Sequence, residues 1–149
     1  MNDRSGRWMG LLALLLAAAS VSAQEPQKLP LARLNAGIHN INAELATTPE
    51  QREIGLMFRP TMAVNDGMLF VFERAGQQCF WMKNTLIPLS AAFIADDGTV
   101  VNIEAMQPQT LDSHCSSQPV RYVLEMNEGW FAKRGIKPGT KLRGAVFAN

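Results

Sequence analysis

Residues 67–89, GMLFVFERAGQQCFWMKNTLIPL, form the densest apolar run downstream of the N-terminal region, and they constrain the fold more than any other stretch. The segments 68–72 and 79–84 are separated by a polar turn through Ala75-Gly76 and are apolar on both faces. Strands covered on both sides read this way. The expectation is a β core with these two strands paired at its centre, and with Phe70, Phe72, Phe80 and Met82 inaccessible to solvent.

The rest of the chain supplies further short strands. In 38–46, Ile41, Ala43 and Leu45 alternate with Asn40, Asn42 and Glu44, as in a half-buried strand. Thr48-Pro49-Glu50-Gln51 is a helix start: Thr48 is the N-cap, Pro49 takes the first position where its missing N–H costs nothing, and Gln51 completes a capping box. Ile54, Met57 and Phe58 follow at helical spacing, and Pro60 stops the helix. Asn65-Asp66-Gly67 is read as the turn into the central strands. Two alternating runs flank Asp96-Asp97-Gly98, the pattern of a hairpin. Residues 107–119 form a long loop carrying His114 and Cys115, and 120–126 alternates again. A short helix over 128–134, ended by Gly135, precedes a last strand over 141–147. About seven short strands without β-α-β alternation predict a mainly β fold. It is a compact antiparallel distorted sandwich or partly closed barrel with one or two short helices, the clear one covering an open end or edge.

Residues 1–23 have the features of a secretory signal. Arg4 and Arg7 precede an apolar run over 11–19, too short for the ~20 residues of a bilayer span, and Val21-Ser22-Ala23 offers a cleavage site. The mature chain then begins at Gln24, has no stable membrane anchor, and is periplasmic or secreted. A flexible lead-in over 24–37, with Pro26 and Pro30, precedes one domain over 38–149. Loss of Arg4, Arg7 and Asp3 from the 14 basic and 13 acidic residues leaves a neutral chain, which excludes nucleic acid as the expected partner. Cys79 and Cys115 meet an oxidising compartment that favours a disulfide. Whether they pair turns on whether their Cα atoms come within about 7 Å.

Glu44-Leu45-Ala46, Thr48-Pro49-Glu50-Gln51-Arg52, Gly55-Leu56-Met57-Phe58-Arg59, Gly67-Met68-Leu69-Phe70-Val71-Phe72, Phe80-Trp81-Met82-Lys83-Asn84-Thr85-Leu86-Ile87-Pro88-Leu89 and Tyr122-Val123-Leu124-Glu125 follow one another in the order of a known family. From about Ile38 to the C-terminus the chain resembles DUF192, also called UPF0127. The resemblance implies a mostly β, compact distorted sandwich or barrel, often exported in bacteria, in a family of unknown function. One departure is Ser90-Ala91-Ala92, where members often carry an acid directly after the position of Leu89.

For chemistry, a regular strand over 79–85 would put Trp81 and Lys83 on one face and Asn84 on the other. Trp81 and Lys83 could then form a shelf, a flat apolar surface beside a cation, for a small polar ligand. In the plainer assignment Trp81 fills the core, Lys83 pairs with Glu125 or Glu44, and Asn84 bonds the turn at Thr85. Arg52 and Arg59 flank the helix, either as anion contacts or as surface pairs. Catalytic signals are thin: His39 and His114 accompany no nucleophile elbow, metal motif or phosphate loop. Cys79 or Cys115 with His114 would make a nucleophile and base only if the fold brought them together. Met57, Met62, Met68, Met82, Met106 and Met126 lack ligand spacing and suit core filling, so no metal or cofactor is expected. The sequence therefore points to a small-ligand-binding or interaction module, with Trp81, Lys83, Asn84, Arg59 and Glu125 as candidate ligand contacts and a protein as the other class of partner. The alternative is an enzyme, hydrolytic in the simplest case, with its site around Trp81, Lys83 and Asn84.

Overall fold

The computed structural model describes residues 24–147; the secretory segment read at 1–23 lies outside them. Its strands are β1 (Leu31–Ala36), β2 (His39–Ala46), β3 (Asp66–Gly76), β4 (Cys79–Phe80), β5 (Leu89–Ile94), β6 (Val100–Met106), β7 (His114–Cys115), β8 (Val120–Asn127) and β9 (Leu142–Arg143), with one α-helix, α1 (Pro49–Ile54). Seven strands form one sheet in the order β6-β5-β8-β3-β2-β1-β9, curled into a half-barrel, and β4 and β7 form a separate two-stranded ribbon. The protein is mainly β, as the strand count predicts.

The adjacent strands β5, β8 and β3 are buried on both faces over much of their length, so alternate side chains serve two cores. Leu69 of β3, Ala92 and Ile94 of β5, and Tyr122, Leu124 and Met126 of β8 point into one, with Trp130, Phe131 and Leu142. Met68 and Phe70 of β3, Leu89, Ala91 and Phe93 of β5, and Val123 of β8 point into the other, with Leu56, Met82 and Ile87. The hairpin around Asp96-Asp97-Gly98 is present as β5 and β6. Alternation read along β8 gives the parity, but every residue from Tyr122 to Met126 is buried because both faces of this strand are covered.

Several expectations are corrected. The lead-in over 24–37 contains β1, which pairs antiparallel with β2 over its whole length. The pair expected at the centre does not form: β3 is bonded to β2 on one edge and β8 on the other, so no ladder position is left and β4 pairs with β7 instead. β2 and β3 run parallel, and the crossover that parallel pairing requires is the segment holding α1. That single β-α-β unit escaped the pattern because its helix is six residues long.

The capping box at Thr48 and Gln51 is present, with Pro49 at the start, but α1 ends at Gly55 and buries none of its own residues; Leu56, just past it, enters the core. Gly67 belongs to β3 rather than to a turn. A Cβ there would run into the Glu125 carbonyl oxygen and the Met126 sulfur, so glycine is what lets β3 and β8 approach. The helix read over 128–134 is a single 3-10 turn, Ala132–Arg134, which Gly135 ends in the left-handed region, and the last strand shortens to β9 before a second such turn, Ala145–Phe147. Phe70 and Met82 are buried as expected, whereas Phe72 and Phe80 are half-buried, because both line a cavity.

Candidate functional site

The long loop before β8 is fastened to the segment after β3. Cys79 pairs with Cys115 and Phe80 with His114 in the ribbon, and the two sulfurs are bonded. On one side Gln78 N–H donates to Ser116 Oγ at 3.0 Å and Ser116 N–H to the Gln78 carbonyl at 2.8 Å; on the other Met82 N–H donates to the Thr110 carbonyl at 3.0 Å and Gln109 N–H to that of Thr85 at 3.1 Å. The result is a cross-linked plate standing over the second core. Phe80 seats it, meeting Phe70 edge-on at 4.8 Å between centroids, Phe93 at 6.2 Å and Phe72 at 6.5 Å. With both sulfurs in the bridge, neither cysteine is free to act as the nucleophile considered beside His114.

Between this plate, β3 and the C-terminal end of α1 lies a cavity of about 250 Å³. Leu56, Phe70, Phe72, Phe80 and Trp81 give it apolar walls, Thr85 and the Cys79 end of the bridge complete the plate side, and Arg52 and Glu53 stand at the α1 side. Gly55, at φ 48°, adopts a conformation that disfavours a side chain, and a Cβ there would press on the Phe70 ring at 3.2 Å. Glycine thus sets how closely the end of α1 approaches the cavity wall.

Glu125 of β8 reaches the same cavity. Its cross-strand neighbours are Met68 on β3 and Ala91 on β5, so it occupies a core position on the middle strand and is 4% exposed. Among the described residues no ion pair reaches its carboxyl, and no hydrogen bond or nearby cation offsets burial, which alone pushes its pKa up to about 8. At neutral pH the group is mostly a neutral acid, able to donate one hydrogen bond and accept others.

The residues singled out in the sequence divide between this cavity and other places. Trp81 and Glu125 both line it. Trp81 is 47% exposed rather than core, because the chain turns at Lys83 and Asn84 instead of continuing as a strand. Asn84 has φ 54° and its carbonyl accepts from Phe58 N–H at 2.9 Å, Phe58 itself lying at φ 65°. Two non-glycine residues in the left-handed region thus meet beside the site. The turn still brings the Lys83 ammonium to 5.3 Å from the centre of the Trp81 ring. Lys83 forms no ion pair with Glu125 or Glu44, and it is the Thr85 hydroxyl, donating to the Lys83 carbonyl at 3.2 Å, that closes the turn.

Arg59 is elsewhere. It grips Glu44 through two bonds of 2.7 and 2.9 Å, donates to the Gln27 carbonyl at 2.6 Å, and lines a separate groove with Pro26, Leu29 and Leu31. Leu29 N–H donates at 2.8 Å to Glu44 Oε2, the oxygen that Arg59 Nη2 also holds, so this pair clasps the N-terminal segment. Burial raises the Glu44 pKa, and the bonds from Arg59 and Leu29 outweigh it and leave the group below its ordinary value. Arg52 is the cation the cavity does have. It lies 4.8 Å over the Phe72 ring, donates to the Thr47 and Val71 carbonyls at 2.7 and 2.8 Å, and stands 3.8 Å from Glu73. The signal for Glu125 was present in the sequence: an acid inside the apolar run Tyr122-Val123-Leu124-Glu125-Met126.

The DUF192 family, described as an uncharacterized ACR, matches residues 32–144. The chain belongs to this family. A crystal structure from Sinorhizobium meliloti 1021, of a protein described as a "putative transcription regulator", is 41% identical and superposes with a TM-score of 0.74, covering 83% of this chain and 99% of that one. A protein of unknown function from Novosphingobium aromaticivorans DSM 12444 is 32% identical with a TM-score of 0.74, covering 88% of this chain and 99% of that one. No curated protein matches the chain. The DUF192 domain here starts inside β1, which explains why that strand belongs with the domain rather than with a lead-in. Ser90, where DUF192 members often carry an acid, is buried on the face of β5 opposite Ala91, and its hydroxyl accepts from Gly129 N–H at 3.0 Å. Its parity is that of Ala92 and Ile94, in the other core, so the departure does not touch the cavity.

Proposed function

We propose that this DUF192 protein is an exported small-ligand-binding module whose site is the cavity over Glu125, with Trp81 at its rim. One observation carries the reading: an unpartnered carboxyl at a core position, facing a cavity with aromatic walls. Glu125 is 4% exposed and its carboxyl has no hydrogen-bond partner among the described residues, so its donor and acceptors are available to a molecule held in the cavity. Apolar walls with a few convergent polar groups are the usual composition of a small-molecule site. Lys83, which does not line the cavity, and Arg59, in its own groove, take no part in this reading. Nucleic acid is set aside as a partner, whatever the description of the Sinorhizobium neighbour, because the chain after the secretory segment is neutral. Export is supported by the sequence of residues 1–23 and by the disulfide, a bond that persists in oxidising compartments; among the described residues no helix is long and apolar enough to cross a membrane.

The same carboxyl favours a second reading, catalysis by general acid–base transfer, since an acid titrating near the working pH is suited to it. In that case Glu125 replaces Asn84 and Lys83 at the centre of the enzyme alternative. Native mass spectrometry of the protein recovered from the exported fraction of its own host tests the main reading. The expected result is a protein mass beginning at Gln24, with a non-covalent adduct that Glu125→Gln or Trp81→Ala loses while remaining folded. An adduct retained by both variants moves the site elsewhere, and a protein found uncleaved inside the cell removes export.

A further inference from the structure

Resting on that reading, we infer that the cavity takes a small organic cation, an amine whose ammonium group pairs with Glu125 and whose apolar body lies among Phe70, Phe72, Phe80 and Trp81. Each class of ligand would meet a different environment there. An anion would need a free cation or convergent N–H groups. Arg52, the one cation lining the cavity among the described residues, already serves two backbone carbonyls and the Phe72 face, and its rim neighbour Glu53 repels negative charge. A neutral alcohol or amide would gain one hydrogen bond from Glu125 and little else that is directional. An ammonium gains a charge-assisted bond, roughly twice as strong as a neutral one, and the attraction of aromatic faces for positive charge. The Phe72 ring already exerts that attraction on Arg52, whose guanidinium lies 4.8 Å over its face.

Size narrows the class. A cavity of about 250 Å³ exceeds the roughly 150 Å³ that holds a benzene ring, so a ring or branched alkyl with a short aminoalkyl arm fits and a peptide does not. Binding is accompanied by proton exchange: the Glu125 carboxylic acid gives its proton to solvent as the ammonium enters, leaving a carboxylate–ammonium pair. The charged groups facing Glu125 across the cavity are Arg52 and Glu53 of α1; its neighbours Met68 on β3 and Ala91 on β5 carry no charge, and the plate contributes bridged Cys79 and Thr85. Arg121, on its own strand, is turned away to the Phe72 carbonyl at 3.0 Å.

The test is isothermal titration of the full exported, oxidised protein with benzylamine, phenethylamine and tetramethylammonium, alongside benzyl alcohol and benzoate. Binding of at least one of the three cations is expected, in preference to the alcohol and the benzoate. About one proton should be released per ligand, read as a buffer-dependent heat, with affinity rising about tenfold per pH unit below pH 8. Glu125→Gln should abolish it, and Asp96→Asn, at an exposed turn outside the cavity lining, should leave it within a few-fold. Preference for the alcohol or the benzoate, amine binding without proton release, or silence from all three cations overturns the inference. The binding reading itself is judged separately, by the co-purified adduct: a neutral or anionic adduct lost in Glu125→Gln refutes the cation and keeps the site.

Discussion

Replacing Glu125 by Gln is expected to stabilise the protein at neutral pH, and to do so by an amount that changes with pH in one direction. The folded state holds the Glu125 proton up to about pH 8, whereas in the unfolded chain the group titrates near its ordinary 4.5. Between these values the folded state binds more protons, so stability falls as pH rises; it is fully present below the unfolded pKa and is lost on the way to the folded one. Each pH unit is worth about 1.4 kcal/mol, which gives a loss of roughly 3 kcal/mol by pH 7 and somewhat more by pH 8. Gln is nearly isosteric with the protonated acid and does not titrate. The two proteins should therefore be equally stable near pH 4.5 and diverge in favour of the variant above it. Urea unfolding followed by tryptophan fluorescence gives both curves, and subtracting one from the other removes every other titrating group. A difference that stays constant between pH 4.5 and 8 would mean that Glu125 is solvated through the cavity mouth and titrates normally, which would refute the reasoning.

Two further outcomes follow from the same structure. The bridge between Cys79 and Cys115 closes a loop of sequence separation 36, for which restriction of the unfolded chain is worth about 4 kcal/mol. Reduction by dithiothreitol should lower the urea midpoint accordingly, and an unchanged midpoint would show that the ribbon contributes nothing to the unfolding unit. Arg59→Met should cost on the order of 1–3 kcal/mol at neutral pH, since it removes two charge-assisted bonds and leaves the partly buried Glu44 carboxylate with only its Leu29 bond. Because the Glu44 pKa is depressed, that loss is present above the unfolded pKa and shrinks as pH falls through the folded one, opposite in sign to Glu125; a loss that persists in acid would locate the effect in the Gln27 contact instead.

How far the sequence could be read depended on whether a segment's structure was decided locally. The capping box at Thr48 is made by residues three apart, and the hairpin at Asp96-Asp97-Gly98 by its own turn, so both were legible. Which strand 79–84 pairs with was not, because it depends on β2 and β8 having already filled both edges of β3. The parallel pairing of β2 with β3 depends likewise on a crossover whose short helix has no apolar stripe of its own. The candidate site shows the same division. Trp81 and Glu125 stood out by residue type, but that Glu125 lacks a cation follows from where Lys83 and Arg59 go. A turn at Asn84 sends the first outward over Trp81, and Glu44 holds the second with the N-terminal segment.

A packing role does not account for Glu125. Its strand neighbours Met68 and Ala91 are apolar, and Gly67 leaves its backbone tightly apposed to β3. Gln could fill the same space without titrating, and an apolar residue could do so without an unpaired polar group. By the reasoning above the acid is the less stable choice at neutral pH, by an amount comparable to a substantial part of a domain's ~5–15 kcal/mol net stability. Structure and electrostatics would then favour another residue, and what distinguishes Glu from Gln at that position is the ability to lose a proton and carry a charge into the cavity. Sites that act on or hold other molecules are where locally unfavourable groups persist. The comparison that separates the two accounts is therefore Gln against Glu at residue 125 in the same cells: a variant that is more stable in vitro yet loses its adduct and its cellular role places the acid in function, and one that is more stable and fully active returns it to packing.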